Sequence, residues 1–397
     1  TVSGSSVANT VGTGSFTIPM MKKMGYRPQF AGAVEASAST GGQIMPPVMG
    51  AAAFLMVDSV GLPYAQIIKA AVIPAILYFA GIMLIIDLES KKHNLLGMPK
   101  DQMPKFGKIM SERGHLILPL AVIIYVLVGT SLTPAFAALI GIAVAAVIGY
   151  AKTLIDLLVP GKRDINTIME QRAGLTGTDF FKCLETGARG VLSVALACGV
   201  SGIVSGIITV TGIGARIGDG FATLAGGNLI LLLFFTMITS IILGMGVPTT
   251  ANYIITSSVM APVVMKAMGA SLPELVAGLG ALGAGYVKLP AHMFTFYFGI
   301  VADITPPVCL AIAGGLNIAK ADPIKTGFEA TRLAIAAFLI PYMFIFNPSL
   351  LLADASLLDI IRMAATSLIG MFGIAMFMQK FYMSRLNIIQ QVLAAAG

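Results

Sequence analysis

Apolar runs of near 20 residues, long enough to cross roughly 30 Å of hydrocarbon as helices, recur at 64–86, 116–132, 133–151, 190–212, 328–348 and 363–379. Two more apolar stretches, 29–57 and 291–317, are interrupted midway. The first breaks at Ser39-Thr40-Gly41-Gly42-Gln43 and the second at Asp303-Ile304-Thr305, and each leads into a Pro-Pro-Val, Pro46-Pro47-Val48 and Pro306-Pro307-Val308. Upstream of each break lies a polar tip in apolar surroundings: Ser5-Ser6-Val7-Ala8-Asn9-Thr10 and Thr249-Thr250-Ala251-Asn252. Residues 1–23 and 226–268 therefore read as re-entrant hairpins, the first complete only in its descending arm. Each second arm reads as too short for a full span. In lipid, irregular polar backbone survives only where protein or a watery cavity surrounds it, so two breaks at matching places in two halves point to a transporter's binding site.

Basic residues mark the cytoplasmic side of a membrane protein. With Lys22, Lys23 and Arg27 inside, alternation of the spans places every Lys and Arg there except Lys69, Arg216, Lys266, Lys288 and Arg362. The same alternation makes the second hairpin enter from the side opposite to the first, as an inverted repeat requires. The expected fold is an all-α polytopic membrane protein with two inverted-topology repeats, each holding a re-entrant hairpin and a broken transmembrane helix. Its expected divisions are 1–57 and 226–317, which carry the hairpins and broken helices, and 58–225 and 318–397, which carry the scaffold. The surplus stretch 270–289 predicts a short surface or half-membrane helix.

Composition agrees with a bilayer solvent: 57% hydrophobic residues, 11% charged, 44 glycines and a mean hydropathy of +0.90. A net charge of +7 sits in short clusters between apolar runs, without the aromatic-interleaved patch of a nucleic-acid face. Cys183, Cys198 and Cys309 are odd in number and unrelated in spacing, and His93, His115 and His292 are scattered, so neither a disulfide framework nor a transition-metal site is indicated. No Gly-x-Ser-x-Gly, Walker loop or His-Glu-x-x-His occurs, so hydrolysis and ATP coupling lack residues to carry them and no enzyme is expected. Gly278-Leu279-Gly280-Ala281-Leu282-Gly283 and Gly202-Ile203-Val204-Ser205-Gly206 read as close-packing helix faces. The chain opens at Thr1 without an initiator Met or a signal pattern and reads as the C-terminal part of something longer.

The tips supply the chemistry. Ser5, Ser6, Asn9 and Thr10, with Thr249, Thr250 and Asn252, are neutral oxygen-bearing side chains beside turns, and unwound helix ends add carbonyls, which together suit a hard monovalent cation such as sodium. Gluing helices together is the competing role, and duplication favours an ion or substrate site. Thr40, Gly41, Gly42 and Gln43 line the first break, and Asp303 and Thr305 the second. Glu35 and Asp303 are the acids placed within spans, which marks them as functional candidates. Asp303 reads as a cation ligand, while Glu35 stays open between proton or ion coupling and a core acid. Lys288 and His292 either meet an anionic substrate or snorkel to the interface, and snorkelling is the expectation.

Three segments carry a family resemblance: Ser3-Gly4-Ser5-Ser6-Val7-Ala8-Asn9-Thr10-Val11, the run from Ala33 to Phe54 through Glu35-Ala36-Ser37-Ala38-Ser39-Thr40-Gly41-Gly42-Gln43-Ile44-Met45-Pro46-Pro47-Val48, and Phe296-Tyr297-Phe298-Gly299-Ile300-Val301-Ala302-Asp303-Ile304-Thr305-Pro306-Pro307-Val308. They resemble the large membrane subunit of tripartite ATP-independent periplasmic (TRAP) transporters, and within it the TAXI branch. The resemblance implies an elevator-type secondary importer in the bacterial inner membrane, taking organic acids from a periplasmic TAXI-type solute-binding protein. A small membrane subunit, fused N-terminally or separate, would be a further partner, with the lipid bilayer and no nucleic acid. No cofactor is implied beyond Na+ as coupling ion. Carried over by motif, one sodium site uses Ser6, Asn9 and Thr40 to Gln43, and the other Thr250, Asn252, Asp303 and Thr305. A stand-alone sodium- or proton-coupled dicarboxylate or citrate symporter is the alternative.

Overall fold

The computed structural model describes residues 4–47, 49–97, 103, 105–130, 132–158, 175–353 and 355–396. Thr1 to Ser3, Val48, Lys100, Ser131, Lys162, Arg163 and Arg172, which enter the expectations above, lie outside that set. The described chain is helical apart from a two-residue antiparallel pairing of Phe381–Tyr382 with Ser384–Arg385. Among the described residues, six helices or continuous helical stretches are long and apolar enough to cross a membrane. Large apolar side chains face outward along them, among them Met83, Val191, Leu196, Ile203 and Val210, whereas Ser6, Glu35, Thr40, Gln43, Asn252 and Asp303 are buried. That inversion of the water-soluble pattern belongs to a chain whose outer surface meets hydrocarbon. The protein is an all-α polytopic membrane protein.

Two compact units are present, one of residues 98–196 and one of the remainder. In the smaller unit the apolar helices Leu118–Gly129 and Pro134–Leu158 pack on each other, preceded by the short helix Phe106–Arg113 and one 3-10 turn. The long helix Gly177–Thr211 runs from this unit into the larger one. It starts well before position 190, because nothing in the polar lead-in from Gly177 to Arg189 stops a helix: the stretch has no proline, and Glu185 and Arg189 form an i,i+4 ion pair of 2.8 Å.

In the larger unit, Ser5 starts the first tip helix, Ser6–Lys23. Its extended backbone lets the hydroxyl accept the Ala8 amide at 3.3 Å, and Lys22 and Lys23 close the last turn. The first pre-break helix, Pro28–Gly41, begins with proline at its first position, where no intrahelical donor is lost. After the break comes the first post-break helix, Ala52–Val60, ended by Gly61 in the left-handed conformation. The central helix, Tyr64–Lys92, has 29 residues, about 43 Å of helix, and closes on Lys91 and Lys92.

The second half repeats the plan: Leu229–Gly244, a turn, the second tip helix Thr249–Ser271, the second pre-break helix Ala284–Val301 and the second post-break helix Leu310–Ala319. A ten-residue helix, Pro273–Leu282, occupies the surplus stretch. The second tip helix corrects the expectation of a short arm. It has 23 residues, about 35 Å, and is long enough to cross, since Pro262 lies inside it without ending it. The apolar run 328–348 also divides, into Pro323–Leu333 and Ile335–Phe346 on either side of Ala334.

The halves lock by exchange. The first tip helix packs on its own pre-break helix and on the second post-break helix, while the second tip helix packs on its own pre-break helix and on the first post-break helix. Lys22 Nζ donates to Ala319 O at 2.9 Å, placing a cation on the carbonyl end of the second post-break helix. The central helix lies against the first pre-break helix, Ile335–Phe346 and Leu357–Gln379. At its C-terminal end, Arg27 pairs with Glu89 at 2.8 Å and Glu329 at 3.2 Å. In the two glycine runs, Ser205 shares a hydrogen bond of 2.7 Å with Ser258, but the glycines themselves have no close neighbour among the described residues. A Cβ on Gly202, Gly206 or Gly278 would meet nothing within 4 Å, and one on Gly280 would meet only Val287 at 3.9 Å.

Candidate ion and substrate site

Each helix break has the same backbone. Gly42, Gln43 and Ile44 donate to the carbonyls of Ser39, Thr40 and Gly41, a tight turn that ends the first pre-break helix; Ala302, Asp303 and Ile304 donate likewise to Gly299, Ile300 and Val301. Both chains then pass a cis Pro-Pro bond and a left-handed residue, Met49 in one and Cys309 in the other. Cys309 therefore belongs to the second break. Aligning the prolines puts Gln43 of the first half opposite Asp303 of the second.

Those two side chains meet. Gln43 Nε2 donates to Asp303 Oδ2 at 3.2 Å, and Ser6 Oγ donates to the same oxygen at 2.7 Å across 297 positions of sequence. Because Ser6 opens the first tip helix, the carboxylate also faces that helix's positive end. One amide, one hydroxyl and a helix terminus thus hold Asp303, which is 3% exposed. Asp303 Oδ1, Gln43 Oε1 and Thr40 Oγ1 are buried with no hydrogen-bond partner. A buried polar group left unmade costs about 1–3 kcal/mol, more when charged, so three oxygens in one neighbourhood mark a place for a cation or a polar ligand.

At the second tip, Asn252 Nδ2 donates to Gly299 O at 2.7 Å and Gly244 O at 3.3 Å, while Oδ1 is buried and unpartnered. Two glycines make this possible. A Cβ on Gly299 would lie 2.5 Å from Asn252 Oδ1, and one on Gly244 would lie 2.7 Å from Nδ2. Gly4 and Gly50 carry the first tip across the first break: both have φ +67, and a Cβ on Gly4 would fall 2.4 Å from the Gly50 Cα. Gly41 is equally confined, with Tyr78 and Phe79 of the central helix 2.5 and 2.6 Å from its would-be Cβ.

The sequence-derived residues thus fall into groups. Ser6, Gln43 and Asp303 are joined directly, and Thr40 and Gly42 belong to the same break. Asn9 is buried one turn along the first tip helix, where Thr10 Oγ1 donates to Ser6 O. Ser5 spends its hydroxyl on the helix cap, and Thr305 donates to Val301 O at 2.8 Å. Thr249 and Thr250 open the second tip helix and are half-buried. Glu35 stands apart from the break, in contact with the hydroxyls of Thr13 and Thr17. His292 does not snorkel: it is buried, and its Nδ1 shares a hydrogen bond of 2.9 Å with the Tyr253 hydroxyl. The sequence reading missed Gly244, Gly299, Thr13 and Thr17. Spacing could have revealed the threonines, since residues four apart share a helix face.

Comparison with curated proteins found no match to this chain. Residues 1–357 match a protein family described as "Tripartite ATP-independent periplasmic transporter, DctM component". The match includes both tips, both breaks and the central helix, so this chain belongs to the DctM family and is the membrane permease component of a TRAP transporter.

Proposed function

We propose that the chain is the permease of a sodium-coupled secondary importer, in the bacterial inner membrane, for an organic acid delivered by a periplasmic TAXI-type binding protein, working with a small membrane subunit that is fused or separate. The observation that carries this reading is Asp303, fixed between Ser6 and Gln43 with oxygens beside it that have no donor. Asp303 Oδ1, Gln43 Oε1 and Thr40 Oγ1 would be the oxygens to hold a sodium ion, whose charge would offset that of the carboxylate. Asn252 Oδ1 and the half-buried Thr250 offer a second position at the other tip, with Asn9 completing the first. The exchange of tip helices between the halves supports two inverted repeats that move together, elevator-fashion, against a scaffold that includes the central helix.

The test is sodium-dependent thermal stability of the purified permease. Sodium should raise the melting temperature of wild type where potassium and choline do not, and Asp303→Asn should lose a large part of that response. Equal stabilisation of both proteins by sodium would overturn the assignment. Uptake of the small molecule found on the purified binding protein, measured with and without that protein, separates this importer from a stand-alone symporter.

A further inference from the structure

Glu35 is a buried acid that the cation site at Asp303 does not use. It is 6% exposed on the first pre-break helix, and no lysine, arginine or histidine among the described residues is ion-paired with it. The elements packed against that helix carry their charges elsewhere. On the first tip helix, Lys22 is held by Ala319 O and Lys23 is exposed. On Pro323–Leu333, Lys325 is exposed and Glu329 pairs with Arg332 and Arg27. On the central helix, Lys69 is exposed, Asp87 pairs with Lys91, Glu89 pairs with Arg27 and His93, and Lys92 donates to Gln379 O. The second post-break helix has no ionisable side chain.

What surrounds the carboxyl group is hydroxyl. Thr13 Oγ1 contacts Glu35 Oε1, and Thr17 Oγ1 contacts Oε2; Ser39 Oγ lies 3.5 Å from Oε1, at the edge of bonding distance. Each threonine also reaches its own helix: Thr13 Oγ1 is 2.8 Å from Asn9 O, and Thr17 Oγ1 is 3.1 Å from Thr13 O. A hydroxyl has one proton and two lone pairs. With Glu35 ionised, both threonines donate to it. With Glu35 protonated, the acid O–H donates to one threonine oxygen, and that threonine turns its own proton to the helix carbonyl. No heavy atom has to move.

Asp303 is set differently: both partners of its Oδ2, Ser6 Oγ and Gln43 Nε2, donate to it, and Oδ1 has no hydrogen-bond partner, an arrangement that suits a carboxylate facing a cation. Around Glu35 the partners are hydroxyls, which can serve either protonation state. Symmetry sharpens the point. Aligned on the Pro-Pro pairs, Glu35 corresponds to Thr295, and aligned on the tip asparagines, Thr13 corresponds to Thr256. Both second-half threonines donate to carbonyls of their own helices, at 3.0 and 2.8 Å. The same architecture therefore stands without an acid.

We propose that Glu35, with Thr13 and Thr17, is a reversible proton-binding site, which makes the proton a second coupled ion beside the cation held at Asp303. Thr13 is exposed, so the group is not sealed by protein on that side. The inference rests on the transport reading for its role, and its test does not require transport.

Infrared difference spectra of the lipid-reconstituted permease, titrated over roughly pH 5 to 9, read the carboxylic C=O stretch of buried acids. Wild type should show a band that appears on acidification, disappears in E35Q, persists in D303N and moves to higher frequency in T17V, which removes one hydrogen bond. A spectrum unchanged by E35Q, or a Glu35 band that never titrates, would overturn the proposal. Should E35Q fail to fold, the T17V shift alone decides it, and an unmoved band counts against the site. Loss of sodium-dependent stabilisation behaviour in the wild type would instead sink the cation assignment and leave this site intact.

Discussion

The two tips are built on one plan and used differently. Asn252 turns inward and ties its own half together, joining the end of Leu229–Gly244 to Gly299 on the second pre-break helix. Ser6 reaches across and ties the halves to each other through Asp303, with Gln43 on the same oxygen. One tip therefore seals a half, and the other couples two. The difference teaches that a repeated backbone does not imply a repeated role: the acid appears in one break only, and its partners come from the other half.

The largest effect should come from removing that shared carboxylate. Asp303→Asn keeps the size of the side chain but withdraws the charge, and sodium-dependent uptake should fall at least about 100-fold, on the scale of a few kcal/mol for an ionic contact in a dry site. Normal uptake by this variant would show that the coupling tip is only structural. Gly299→Ala probes the sealing tip. The new methyl must displace Asn252, an overpacking of about 1–3 kcal/mol, seen as a lower melting temperature together with weakened uptake. Pairing it with Asn252→Ala should recover part of the stability, because the clash disappears; no recovery would break the proposed link.

Arg27→Ala tests the C-terminal end of the central helix. Exposed ion pairs contribute about 0–1 kcal/mol, but Glu89 is only 3% exposed at its side chain and would keep only His93 at 3.3 Å, so losing Arg27 should cost more than that. Adding Glu89→Gln should return most of the loss in a thermal melt. The smallest change should be Ser5→Ala, which removes a helix cap worth about 1 kcal/mol. Because the cap hydroxyl faces Ala8 rather than Asp303, stability should drop slightly and sodium dependence should stay.

Much of this plan is legible in the sequence, because proline pairs, glycines and runs of small polar residues interrupt hydrophobic stretches in a way few other structures tolerate. Pro46-Pro47 and Pro306-Pro307 located the breaks, and Asp303 stood out as an acid beside one of them. The pairing of Ser6 with Asp303 was not legible, since contacts 297 positions apart depend on how the halves exchange helices. Nor was the length of Thr249–Ser271, where an early turn suggested an arm too short for a full span. His292 was misplaced for a related reason: a histidine near Lys288 reads as interfacial until Tyr253 provides a partner inside. Gly202 and Gly278 show the opposite error, small residues that promise a neighbour and face open space.

Swapping tip helices between the halves has a mechanical corollary. Each recess is walled in part by the other half's post-break helix, so a substitution that reshapes one recess also reshapes a wall of its twin.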